Sequence, residues 1–265
     1  MIGEKISIIT ISYNSKRTIE RTFQSVLSQS YRPLEYVLVD GGSKDGTVEL
    51  IQKYIPVFEK AGIEVKFKSE PDKGISDAFN KGIERATGEI IGITNSDDVL
   101  LEDTLEYVAK NFPTNIDVFY GDCLWKDVDR NIEYIRKSSQ DLRDLKIRLK
   151  ILHPATYIRK TTYDKYGLYD ISFKFCMDKE LLARIQRLGG TFFYVEKTLV
   201  AVAAGGVSDK NLLGVNQESE RIAVSNGVSK LRAKCIYSTN YWIVKLKNQV
   251  KKIFFVAKLI EIVKR

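Results

Sequence analysis

ISIITISYNSKRTIERTFQSVLSQSYRPLEYVLVDGG, residues 6–42, reads as two strands with a helix between them. Ile6–Ile11 is an unbroken apolar run rich in β-branched residues, the pattern of a strand buried on both faces of a parallel sheet. The polar turn Ser12–Lys16 follows. From Thr18 the apolar residues Ile19, Phe23, Val26 and Leu27 recur at helical spacing, and Tyr31-Arg32-Pro33 closes the helix, since proline lacks the next backbone donor. Leu34–Val39 is again strand-like and ends in Asp40, before a glycine-rich turn.

The same rhythm continues outward. A helix over Thr47–Phe58, a strand over Ile63–Lys68, a helix over Gly74–Ala86 and a strand over Glu89–Thr94 lead into Asn95-Ser96-Asp97-Asp98. Alternation at this spacing predicts an α/β fold, a mostly parallel sheet with helices on both faces. In such sheets ligands bind at the carboxyl ends of the strands. Three polar clusters fall there: Ser12-Tyr13-Asn14, Asp40 and Asp97-Asp98. After a helix near Glu102–Asn111 the rhythm loosens. Strands are expected at Asp117–Gly121, Asn131–Lys137, His153–Arg159 and Thr191–Val195, and helices at Leu142–Leu149 and Asp178–Leu188. Residues 1–230 are expected to form one catalytic body, with a nucleotide-binding half to 115 and an acceptor-side half over 116–230.

The formal charge of +8 is concentrated in residues 231–265, where nine Lys/Arg face the single acid Glu261. The rest of the chain is neutral, which argues against nucleic acid as a partner. From Trp242 the residues Leu246, Val250, Ile253, Ala257 and Ile260 recur at helical spacing, with Lys247, Lys251, Lys258 and Arg265 opposite. This predicts a basic amphipathic helical tail lying on an anionic membrane surface; a helix docked on the body is the plainer alternative. Its apolar run Ile253–Ala257 is too short to span a bilayer. Three scattered cysteines and an N-terminus without signal-peptide character point to a reducing, cytoplasmic setting at the inner face of the cell membrane. No Gly-x-Gly-x-x-Gly or Gly-Lys-Ser/Thr loop follows the first strand, which weakens dehydrogenase and NTPase readings.

Adjacent carboxylates at the end of an apolar strand repel one another, and a cation relieves them. Oxygen ligands without a His/Cys cluster favour Mn²⁺ or Mg²⁺, ions that also take substrate phosphates. Taken alone, Asp97-Asp98 reads more readily as a helix cap beside a solvated acid.

Context favours the ion. IITISYNSKRTIERTFQSVLSQSY (8–31), EYVLVDGGSKDGTVELI (35–51), SEPDKGISDAFNKGIERATGEIIGITNSDDVL (69–100) and HPATYIRKTTYDKYGLYDISFKFCMDKELLARI (153–185) occur in order. Over roughly residues 5–208 they resemble family 2 glycosyltransferases of the GT-A fold, particularly those of bacterial surface-polysaccharide assembly. The resemblance implies that Tyr13 stacks on the base of a nucleotide sugar, with Ile11 and Asn14 beside it, and that Asp40 accepts a hydrogen bond from that base. A carboxylate facing a ring N–H suits uracil or thymine, hence a UDP- or dTDP-sugar. Lys73 and Asn80 match a segment flanking the donor sugar and phosphates. Asp97 and Asp98 match the family's Asp-x-Asp metal motif, with Asn95 where the first acid often stands; Asp98 is then the main metal ligand and Asp97 contacts ribose or metal. Asp178 falls at the position of the catalytic base, with Glu180 in reserve. His153, the single histidine, is expected near the phosphate or acceptor, although a strand-end histidine is more often structural.

The expected reaction is therefore an inverting, non-processive transfer to a saccharide acceptor that is polyprenyl-linked. The absence of Gln-x-x-Arg-Trp and of a spanning segment separates the chain from processive synthases. Nucleotidyl transfer to a sugar phosphate and a non-catalytic nucleotide-sugar-binding module are the competing readings. A homodimer is compatible with the sequence.

Overall fold

The structure, a computed structural model, describes residues 3–127, 131–203 and 211–263, with backbone alone at 248–249 and 251–263. The first half alternates as its sequence pattern requires: β1 (Ile6–Ser12), α1 (Ile19–Leu27), β2 (Leu34–Asp40), α2 (Thr47–Lys60), β3 (Ile63–Ser69), α3 (Ile75–Arg85) and β4 (Ile90–Ile93). A two-residue strand β5 (Val99–Leu100), α4 (Thr104–Asn111), β6 (Val118–Asp127) and β7 (Ile132–Arg136) follow. Then come β8 (Thr156–Arg159), α5 (Lys160–Tyr166), α6 (Met177–Arg187), β9 (Phe192–Ala203), α7 (Leu212–Ser225) and α8 (Lys230–Val263).

One sheet runs β3-β2-β1-β4-β8-β6-β9-β5, with β7 added on β6. β3, β2, β1 and β4 are mutually parallel, so Ser12, Asp40 and Ser69 line up at one edge through the pairs Ser12↔Asp40 and Asp40↔Ser69. β8 is antiparallel to both β4 and β6, while β6 and β9 are parallel with a register shift near Asp122. Side chains alternate between the two faces of a strand. Ile6 and Ile8 accordingly pack with Phe23, Tyr36 and Phe58 under α1 and α2. Ile9, Val37 and Val39 pack with Phe79, Leu181 and Ile185 from α3 and α6. A Cβ on Gly82 would run into Ile9 Cγ2, so glycine is what lets α3 lie so close to β1.

Several expected elements differ. Leu142–Leu149 is a series of turns, not a helix, with Leu145 bonded to Leu142 and Ile147 to Asp144. Only Arg148 makes an i+4 bond there, to the Asp144 carbonyl, and the Ile147 carbonyl at the end of these turns accepts from Lys179 and Tyr237. His153–Ala155 is a 3₁₀ turn, since Pro154 cannot donate to a ladder, and the strand begins only at Thr156. The strand expected at Thr191–Val195 runs on to Ala203, and α5 and α7 lie in stretches where no element was expected.

The expected edge at 230 falls at the start of α8, but the first turns of that helix belong to the body. Ala233 is fully buried and Tyr237 nearly so, packed with Ala223, Val228 and Ile147. Farther on, Trp242, Ile243, Leu246 and Val250 are exposed. The expected positions Lys251, Ile253, Ala257, Lys258, Ile260 and Arg265 lie outside the described side chains. Among the described residues no helix is long and apolar enough to cross a membrane.

Glu35 shows how the sheet accommodates charge. It is fully buried on β2 and accepts from Ser7 Oγ, the Thr87 N–H and Thr87 Oγ1, with Lys66 Nζ at 2.8 Å. Burial alone would raise its pKa, yet Lys66, Ser7 and Thr87 together hold it down at about 2. A depressed carboxylate contributes stability above the ordinary glutamate range and loses it as pH falls toward the folded value. Glu35→Gln should therefore cost about 2 kcal/mol at pH 7. The deficit against wild type in urea unfolding should shrink as pH is lowered from 5 toward 3 (roughly the window between the two pKa values); a pH-independent difference would contradict this.

Candidate functional site

The carboxyl ends of β1, β2, β3 and β4 form one connected rim. Asp40 is its anchor: it is fully buried, and its carboxylate accepts from Ser12 Oγ at 2.9 Å and Ser69 Oγ at 2.8 Å. It also accepts from the N–H groups of Gly42 at 3.0 Å and Ser43 at 2.8 Å, and from Ser43 Oγ. Burial pushes its pKa up, but these donors prevail and hold it below the usual carboxylate range. Asn14, in the left-handed region at φ 51°, donates its N–H to Ser43 Oγ and accepts from the Lys44 N–H. The loops after β1 and β2 are thereby tied together. Tyr13 projects from this tie with 66% of its surface exposed, while Ile11 lies half-buried on the strand behind it.

The loop after β4 is tied to the same rim. Ser96 Oγ donates to Ser15 Oγ at 2.8 Å, Arg21 donates to the Asp97 carbonyl, and Thr22 Oγ1 donates to the Asp98 carbonyl at 2.7 Å. Asp98 is 1% exposed, and its side chain accepts from the Asn95 amide at 2.9 Å. Burial first, and then the neighbouring Asp97, push its pKa up to about 7; Asn95 and Arg21 only partly offset this. Asn95, where an acid often stands in the family pattern, here serves as a donor to the acid that follows.

Across the rim, α6 begins at Met177 and carries Asp178 in its first turn, where the helix dipole favours an anion. Its Oδ1 accepts from the Lys179 N–H at 2.7 Å. Asp178 is near enough to both His153 and Tyr169 for its charge to bear on each. His153 Nε2 lies 2.8 Å from the Tyr169 hydroxyl, and the imidazole packs on Phe79 with ring centroids 5.5 Å apart. Burial lowers the His153 pKa more than the Asp178 charge raises it, so the ring is neutral at pH 7. Burial pushes the Cys123 thiol up to about 12, with the charge of Asp98 adding to the rise and the Ala155 backbone opposing it.

Other sequence-predicted residues are engaged differently. Glu180 forms an ion pair with Arg184 at 2.8 Å, and Arg184 in turn holds the Tyr166 and Leu168 carbonyls, so this acid is committed to bracing α6. Asn80 donates to the Tyr169 carbonyl at 2.8 Å and accepts from the Tyr169 N–H at 2.9 Å, which makes it a clamp between α3 and the Tyr169 loop. Lys73 is exposed, and its described hydrogen bond is from its own N–H to Asp77. Sequence reasoning passed over Tyr169, Thr22 and Asp72; nothing local in their surroundings distinguishes them from ordinary surface or core residues.

The acid pair fits a divalent ion. Asp98 is a carboxylate whose pKa is lifted by burial and then by a second acid, with an amide as its described side-chain partner and Arg21 as only a partial offset, so a bound cation would relieve it. No group of three or more His, Cys, Asp or Glu side chains gathers around one point among the described residues. Asp97 and Asp98 thus offer a partial oxygen shell, as suits an ion that also binds phosphate and water.

Comparison with known proteins agrees with this geometry. The family model described as glycosyl transferase family 2 matches residues 7–185. A PGL/p-HBAD biosynthesis glycosyltransferase of Mycobacterium bovis is 29% identical over 183 residues, covering 67% of this chain and 68% of that protein. The putative teichuronic acid biosynthesis glycosyltransferase TuaG of Bacillus subtilis is 41% identical over 101 residues, 38% of this chain and 39% of that one. Among solved structures, S. aureus TarS superposes with a TM-score of 0.65 at 18% identity over 88% of this chain, which spans only 42% of the TarS chain. The mannosyltransferase PcManGT from Pyrobaculum calidifontis, in complex with GDP-Man and Mn²⁺, gives 0.62 at 16% identity, covering 91% of this chain and 70% of that one. At these identities the two structures establish the shared fold.

The Asn80 clamp gives a direct test of how the Tyr169 loop is held. Asn80→Ala leaves two backbone groups without their partner and should destabilise the protein by about 1–3 kcal/mol in urea unfolding. A change within a few tenths of wild type would show the clamp to be dispensable.

Proposed function

Because the chain belongs to glycosyl transferase family 2, we propose that it moves one sugar from a UDP- or dTDP-sugar to a saccharide hydroxyl, inverting the anomeric centre and adding one residue per encounter. What supports this reading is that the exposed Tyr13 follows β1 and the buried Asp98 follows its neighbour β4, while His153 is bonded to Tyr169, which packs in one core with the helix that carries Asp178. Tyr13 offers a flat face for a base, and the tied loops around Asp40 hold that face in place.

Asp97 and Asp98 would hold Mn²⁺ or Mg²⁺, which when bound neutralises charge on the departing diphosphate. In the transfer, the acceptor oxygen forms a bond to the anomeric carbon as the bond to phosphate breaks, and the acceptor proton passes to the Asp178 carboxylate. The neutral His153, fixed by the Tyr169 hydroxyl, lines the acceptor side without adding a competing positive charge. The related glycosyltransferases are described as of PGL/p-HBAD and putative teichuronic acid biosynthesis, which supports a surface glycoconjugate as product; the acceptor we propose for it is polyprenyl-linked.

Such an acceptor places the enzyme at a membrane surface, with the nucleotide sugar supplied from the cytoplasm. The exposed Trp242, Leu246 and Val250 of α8, in a segment that carries the chain's net positive charge, are suited to an anionic interface. Ala233 and Tyr237, by contrast, are needed by the body.

Two measurements test these readings. Asp98→Asn and Asp178→Asn should each lower transfer at least a hundredfold (about the scale of losing an acid–base or metal contribution) while leaving thermal unfolding near wild type; near-normal release of UDP by both variants would overturn the assignment. In sedimentation with vesicles, the full chain should bind phosphatidylglycerol in preference to phosphatidylcholine, and a chain ending at Asn240 should lose that binding while remaining folded. Equal sedimentation of both forms would place the membrane contact elsewhere.

A further inference from the structure

We propose that Asp72, not Asp40, reads the base of the donor: its Oδ2 accepts the N3–H of a uracil or thymine stacked on Tyr13. The inference rests on the nucleotide-sugar reading above and names the residue that sets its base preference.

Asp40 has nothing left to offer a ligand. A carboxylate presents about four lone-pair sites, and five donors from Ser12, Gly42, Ser43 and Ser69 already converge on this fully buried group. Turning it toward a base would strip the loop after β2 of its anchor.

Asp72 is placed differently. It is half-buried at the end of the segment that follows β3, and its Oδ1 accepts the Gly74 N–H at 2.8 Å. No hydrogen bond to its Oδ2 and no ion pair of this side chain is found among the described residues, whereas the nearby acids Glu70 and Asp77 are paired with Lys81 and Arg85. The free oxygen has a defined direction. A Cβ built on Gly41 would lie 2.5 Å from Asp72 Oδ2 and 3.3 Å from Tyr13 Cδ2, so carboxylate and ring edge border the same point above Gly41. The segment is held from both sides: the Glu70 N–H donates to the Asp40 carbonyl at 2.9 Å, and Lys81 Nζ donates to the Pro71 carbonyl at 2.8 Å. An acceptor fixed beside the edge of an aromatic platform meets the edge of whatever stacks on that platform.

The chemistry of that edge selects the base. Uracil and thymine present N3–H between two carbonyls, and a charged acceptor gains a strong hydrogen bond from it. Cytosine presents a bare N3, an acceptor, and two acceptors brought together leave both unsatisfied. The glycine at 41 belongs to the same device, because any side chain there would occupy the point where carboxylate and ring meet.

Titration calorimetry of the full chain with UDP and with CDP, in the presence of Mn²⁺, tests the assignment. Wild type should favour UDP by at least about tenfold. Asp72→Asn retains an oxygen for the Gly74 N–H and presents an amide donor in place of Oδ2. It should bind UDP at least about tenfold more weakly and bring the UDP:CDP ratio to near one or below. A merely structural role would weaken both nucleotides alike and leave the ratio unchanged; that result, or a wild type with no preference, overturns the role of Asp72 alone. A wild type that binds neither nucleotide removes the nucleotide-sugar reading and this assignment with it.

Discussion

The rim of this molecule depends on a carboxylate that never meets solvent. Asp40 gathers donors from the end of β1, from the end of β3 and from the turn that follows its own strand, and so converts three strand ends into one rigid edge. The cost of burying its charge is offset because every donor is fixed by a paired strand or a tight turn. Tyr13 is exposed but not adrift for the same reason: the backbone on either side of it is bonded to this edge through Gly41 and Ser43.

Three buried carboxylates on the parallel half divide by how their charge is answered. Glu35 and Asp40 are saturated and carry depressed pKa values; both brace the sheet. Asp98 is as deeply buried, yet its neighbourhood raises its pKa, and its side-chain partner is an amide. A fold that compensates two such groups fully and the third only in part gives physical support to the proposal that the third meets a cation from outside the chain. That contrast supports the proposal more than the adjacency of Asp97 and Asp98 does.

The α/β rhythm of the first hundred residues was legible because β1, β2 and β4 are largely apolar runs, β3 alternates apolar and charged residues, and the helices between them are followed by Pro33, Gly62 and Gly88. The strand-end clusters around Tyr13, Asp40 and Asp98 were legible for a related reason, since a polar group that interrupts an apolar run needs a purpose, whereas Asp178, in the first turn of a helix, was singled out by the family resemblance alone. What each residue does there was less so. The saturation of Asp40 requires Ser69, 29 positions away, and the clamp of Asn80 on Tyr169 spans 89; no local pattern encodes either. Leu142–Leu149 has helical periodicity but forms turns, and the partners from α6 and α8 that fix its end at the Ile147 carbonyl lie 32 and 90 positions away.

Those same partners join the tail to the chemistry. Lys179 follows Asp178 on α6, is 4% exposed, and reaches the Ile147 carbonyl at 2.8 Å and the Tyr237 hydroxyl at 3.0 Å, with its ammonium over the Tyr237 ring. Burial lowers its pKa to about 8 against the opposing influence of Cys176 and Asp178, and the Ile147 carbonyl and Tyr237 hydroxyl take its donors in place of water. The first turns of α8 therefore complete the packing beneath the helix that presents Asp178. A boundary drawn from charge alone, at residue 230, cuts through this contact; one drawn from burial places the break after Tyr237, where the apolar side chains of the helix turn outward.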